Sequence, residues 1–198
     1  MVRRSGRVLG TAATFCLARP MGTIAVAGPG VGAGLASRAV ALGVDGGVIA
    51  AWAGVAAGVG WVLRRRVRSL SPVQADVLAL GTLVAPTVVT FAVMEASPRQ
   101  ATPGKALVSL RVQSLDGQRL TLAHASARSA VKLAPWQFAH TAVFRMAAGS
   151  QQARWPVLAA AAQLMVLASA VTLLRDPDHR AWHDLLTRTR VVAVPRQG

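Results

Sequence analysis

From Ala39 to Leu63 the chain carries one charged side chain, Asp45, and Arg38 stands immediately ahead of that run. A helix of ~20 predominantly apolar residues crosses the hydrocarbon core of a bilayer, so the run predicts a membrane-spanning helix. Nine of its residues are Val, Leu or Ile, worth about 3 to 5 kcal/mol toward insertion, against about 2.5 to 3.5 kcal/mol for one central carboxylate. The helix therefore inserts with its acid in place. A carboxylate kept in a membrane at that cost is a candidate functional group; the competing reading is an ion pair with Arg38 or with a neighbouring helix that only fixes packing.

Two more apolar runs follow, Val77–Met94 and Pro156–Leu174. The first holds Pro86 and is bordered by Asp76 and Glu95, which predicts an irregular second span with an acid near each end. The second is free of charge and predicts another span. Gly43, Gly47, Gly54 and Gly58 stand at small-xxx-small spacing and predict close packing of the first two spans. Net charge is +15, from 22 basic and 7 acidic residues, and mean hydropathy is +0.44. Because the arginines border apolar segments and no nucleic-acid reading module accompanies them, the charge reads as juxtamembrane, with lipid and not nucleic acid as the partner.

Residues 1–37 read as a basic, Gly-rich, poorly ordered extension, residues 38–194 as the membrane domain and 195–198 as a tail. Within the extension, Ala25-Val26-Ala27 has the small-residue character of a cleavage site, but Arg19-Pro20 breaks the hydrophobic stretch a signal peptide needs. Gly28–Gly34 lacks the Lys-Ser/Thr ending of a phosphate loop and reads as a linker. Cys16 is the single cysteine, so no internal disulfide forms.

After the second run the sequence alternates. Apolar and polar residues trade places from Leu107 to Leu122 around Asp116-Gly117, a β-hairpin signal. A strand at Thr189–Val194 would join it in a three-stranded sheet outside the lipid. Between them a helix starting near Thr121 carries His124, Arg128 and Lys132 four residues apart, and it either spans or lies in the interface. The fold class is thus a mainly α, polytopic membrane helix bundle: three spans, one helix open between spanning and amphipathic, and a small soluble sheet. With four crossings most basic residues lie on the side of both termini, which places the termini in the cytoplasm.

Three separated segments carry a family resemblance: Arg38 with Asp45, ATPGKALVSLRVQSLDGQRL with Arg128 downstream, and AWHDLLTRTRVV. Together they resemble the RDD family of small bacterial integral membrane proteins, from about Arg38 to Val194. The resemblance implies that Arg38 is the family's arginine at the first helix start, Asp45 its first aspartate and Asp184 its second, in the His183-Asp184 pair. It also implies that Thr102, Gly104 and Lys105 form the family's Thr-x-Gly-Lys segment and that Asp116-Gly117 form its turn. Pro103 departs from the bulky apolar residue usual there. For such a protein the resemblance suggests transport of ions or small solutes, with cation/proton exchange in some members, at the bacterial plasma membrane.

An exchanger needs a carboxylate that binds proton and cation in competition, and Asp45 is the residue placed for it. On that reading it faces the bundle on the stripe of Arg38, Leu42, Ile49 and Trp52, with Arg38 or Arg128 as partner. His179 and His183, four apart, would share a helix face, but no further ligand completes a metal set. No nucleophile–base constellation, cofactor motif or P-loop stands in a credible context, so no enzymatic activity and no cofactor are expected. Two function classes stay open: a transporter, oligomeric because so few helices scarcely enclose a path, and a non-catalytic scaffold or accessory subunit whose soluble hairpin recruits a partner.

Overall fold

The computed structural model describes residues 33–63 and 70–194. The arginine cluster Arg64–Arg68, Cys16, the cleavage-like segment, most of the glycine linker and the tail lie outside the described residues. Three helices are long and apolar enough to cross a membrane.

The first, α1, runs Leu35–Leu63. The packed body begins ahead of it and ahead of the expected boundary at Arg38, because Ala33 is fully buried and donates its N–H to the carbonyl of Val191 at 3.2 Å. The second span is built from α2 (Pro72–Ala79), a π-helical turn (Leu80–Val84) and α3 (Ala85–Ala96). Ser71 and Gln74 cap it reciprocally, and Pro72 occupies the first helical position, where a missing N–H costs nothing. The irregularity expected at Pro86 takes the form of the π turn. Pro86 has no N–H for the Thr82 carbonyl four residues back, and the Trp52 indole donates to that oxygen at 2.9 Å.

The expected glycine packing is absent. At Gly43, Gly47, Gly54 and Gly58 a Cβ would meet nothing within 4 Å, so α1 meets the second span through Trp52 instead.

A short helix α4 (Pro103–Leu107) leads into strand β1 (Leu110–Ser114). The expected hairpin does not form. Asp116-Gly117 does make a turn, with Gly117 at φ 78° and its N–H bonded to Ser114 O. Beyond Gln118, however, the chain leaves the sheet, because Leu120 is drawn into the core and Thr121 caps a helix. The strand paired with β1 is the C-terminal β2 (Thr189–Ala193), antiparallel, with Val112 opposite Val191. The sheet thus has two strands.

Helix α5 (Leu122–Ala147) runs antiparallel to the second span along its whole length. Arg128 near its start meets Glu95 near that span's end, and Arg145 near its end meets Asp76 near that span's start. Those ion pairs lie ~26 Å apart along α5 at 1.5 Å per residue, close to the hydrocarbon thickness. Helix α5 therefore lies beside the second span from one end to the other. Helix α6 (Arg154–Arg175) returns, and α7 (Trp182–Leu186) leads into β2. The hydrophobic core is small and sits under the sheet, formed by Ala33, Ala41, Ala92, Leu110, Val112, Leu120, Ala125 and Val191. Large apolar side chains elsewhere, such as Leu164 and Leu174, face outward, as lipid-facing residues do.

Candidate functional site

The charged residues singled out in the sequence converge at the sheet end of the bundle. Arg128 is 2% exposed. Its Nη1 donates to both Glu95 oxygens at 2.9 and 2.8 Å, its Nε and Nη2 donate to Asp184 Oδ1, and Nε also donates to Thr189 Oγ1 at 3.1 Å. Such a fork uses the planar guanidinium as a lysine could not. Lys105 Nζ donates to Glu95 Oε1 at 2.6 Å. Arg38 Nη1 stands 3.6 Å from Asp184 Oδ2, and its other nitrogens donate to the carbonyls of Ala33 and Val191. One network therefore joins α1, α3, α4, α5, α7 and β2.

Asp45 belongs to the same end but forms no ion pair among the described residues, which corrects the expected partner, Arg38 or Arg128. Only 3% exposed, it accepts from Thr102 Oγ1 at 2.6 Å and from the Gly104 backbone N–H at 2.8 Å. Thr102 is the N-cap residue of α4, so Asp45 serves as an acceptor for that short helix's start from across the fold. Of the expected stripe, Ile49 is half-buried, but Leu42 (64% exposed) and Trp52 (48%) face outward. Gly104 is there for proximity: a Cβ would run into the carbonyl oxygen of Ala41 and crowd Asp45 Oδ1 at 2.9 Å. Pro103 fits the first position of α4.

Outside the spans, burial pushes the His183 imidazole down to about 3, against the pull of Asp184 3.6 Å away. His183 is therefore neutral at physiological pH. Burial would raise the Asp184 carboxyl, but the Arg128 guanidinium outweighs it and holds the group well below the carboxylate range. Asp184 Oδ2 also accepts the Ala181 N–H at 3.2 Å at the start of α7. His179 lies ahead of α7, at φ 53°, with Nδ1 beside Leu173 O, so the two histidines share no helix face. Among the described residues no group of three or more His, Cys, Asp or Glu side chains is placed to hold a metal.

The sequence reading took Glu95 for an acid at the end of a span; it is fully buried and holds two of the three cations of the network. That reading missed Thr189 as an Arg128 ligand. Asp116-Gly117 lies apart from the network, at the tip beyond β1.

The segment Thr102-Pro103-Gly104-Lys105 thus ties to Asp45 and Glu95, and Arg38 and Arg128 both reach Asp184. A family model, the RDD family, matches residues 32–188. The chain belongs to the RDD family. The match covers most of the chain, starting before Arg38 and ending before β2 closes. No curated protein and no solved structure matches. For an RDD protein of this sequence, Arg38, Asp45 and Asp184 stand at the sheet end of the bundle, Asp184 within the ion network.

Proposed function

We propose that this RDD protein is a non-catalytic membrane scaffold of the bacterial plasma membrane, acting as a homo-oligomer or with a membrane partner protein. Its buried charges rivet a surface platform of α4, β1, β2 and α7 onto four crossings, with both termini cytoplasmic. The observation that carries this reading is how Arg128 is held: Glu95, Asp184 and Thr189 engage all three nitrogens of its guanidinium. Groups so matched favour a fixed geometry over a changing one. The platform also presents exposed Leu107, Leu185 and Leu186, apolar surface suited to the headgroup boundary or to a partner.

A second reading, cation/proton exchange or small-solute transport, is favoured by one observation: Asp45 is held by neutral donors alone. Purified protein in sealed vesicles separates the two. Proton flux driven by sodium or potassium gradients should equal that of empty vesicles. Flux above that level which Asp45→Asn abolishes would replace the scaffold with a transporter.

A further inference from the structure

A cleft of about 450 Å³ opens between α1, α5 and α6 and is closed at one end by α7. Its volume lies in the range of small-molecule sites. The lining changes along its length. At the sheet end stand Lys132, Trp182 and His183; toward mid-membrane it is walled by Ala139, Ala162 and Val166. On α6 it runs from Ala162 to Leu173, ~16 Å of helix, or about one leaflet of the hydrocarbon core. Leu42 and Val166, both more than half exposed, leave it open sideways to lipid.

Lys132 is the odd charge. Three neighbouring buried cations are paired, Arg38 and Arg128 with Asp184 and Lys105 with Glu95. Among the described residues Lys132 makes no ion pair or hydrogen bond, and its ammonium lies 5.2 Å from the centroid of the Phe91 ring. It sits one helical turn deeper than Arg128. Glu95 and Asp45 attract it only from a distance, so a part-buried cation with a ring face beside it has no anion in direct contact.

We propose that this cleft binds an anionic phospholipid of the sheet-side leaflet, one acyl chain lying along α6 and the phosphate meeting Lys132. The length of the apolar wall matches a chain entering from one leaflet, and the cation stands at the headgroup end. Trp182 lies at the same end, with an indole N–H that makes no hydrogen bond among the described residues and is available as a second donor.

The test uses the full chain in nanodiscs of phosphatidylcholine with a minor share of phosphatidylglycerol, reading retained lipid by native mass spectrometry. Wild type should retain phosphatidylglycerol selectively. Lys132→Met should reduce that retention about fivefold, the effect of one cation facing anionic lipid, and Lys132→Arg should restore it. Val166→Trp, at an exposed position, should displace lipid by filling the cleft, while thermal unfolding in detergent stays as in wild type. Undiminished selectivity in Lys132→Met would assign the preference to the surface arginines and overturn the proposal. Disulfide-linked pairs formed through Val166→Cys would overturn it too, giving the cleft to a second copy of the chain.

Discussion

Asp45 and Glu95 are both buried acids, yet their environments separate them. Glu95 neutralises Arg128 and Lys105, so Glu95→Gln leaves the buried Lys105 unpaired and Arg128 with Asp184 as its one carboxylate, and should destabilise by about 3 to 5 kcal/mol in detergent unfolding. Asp45→Asn is gentler. The amide oxygen can accept from Gly104 N–H while the amide nitrogen donates to the Thr102 hydroxyl, which can reverse its role, so a loss of about 1 kcal/mol is expected. Equal losses in the two variants would mean that Asp45 meets a cation after all. Glycines part in the same way. Gly104→Ala forces a methyl into Ala41 and should cost about 1 to 3 kcal/mol or more. Gly47→Ala, with nothing nearby, should be neutral or raise the melting temperature. The motif residues were legible because an acid or a Gly-Lys step beside an apolar run has few bland explanations. Glu95 was not, since an acid ending a span resembles any interfacial charge until Lys105 and Arg128 are seen to fold onto it.

At the scale of elements, α7 makes the sheet end sensitive to acid. His183 is held from the ordinary 6.5 down to about 3 in the folded chain, so unfolding takes up a proton once pH drops below 6.5. Its contribution is complete above that value and fades as pH falls toward 3, at a rate approaching about 1.4 kcal/mol per pH unit. Asp184, also depressed, adds a loss of the same sign below the ordinary carboxylate value. Melting temperature followed from pH 7 to 5 should therefore fall in wild type and fall less in His183→Gln; parallel curves would refute the buried neutral imidazole. The helices were readable in advance because apolar length and the Thr121 cap are local signals. That the Thr189–Val194 strand joins the Leu107–Leu122 segment in one sheet was readable as well, but that it replaces the second hairpin strand was not. Asp116-Gly117 dictates a turn, whereas the occupant of the β1 edge is decided by β-branched residues some 80 positions away.

For the molecule as a whole, the ion pairs at both ends of α5 lay that helix alongside the second span, and the reading with four crossings predicts where its two ends emerge. In a Cys16→Ser background, Arg119→Cys and Arg188→Cys should react with an impermeant thiol reagent from one face of the membrane and Gln151→Cys from the other. Labelling of all three from one face would lay α5 in the interface. The bare glycine face of α1 belongs to this scale as well: spacing alone suggested contact, but α1 is held mainly by α4 and the network at one end.

The pairing of β1 with β2 also sets an order of events during synthesis. Arg128 is synthesised with α5, but two of its three ligands, Asp184 and Thr189, emerge from the ribosome only after α6 has followed. Until then the guanidinium has Glu95 alone, and the half-made protein carries a poorly shielded charge at its membrane end. A chain stopped after Asp178 would keep every long helix and still fail to bury that charge. Pulse-chase degradation should show it cleared far faster than the full chain, making the last strand a completion check that cellular proteolysis can read.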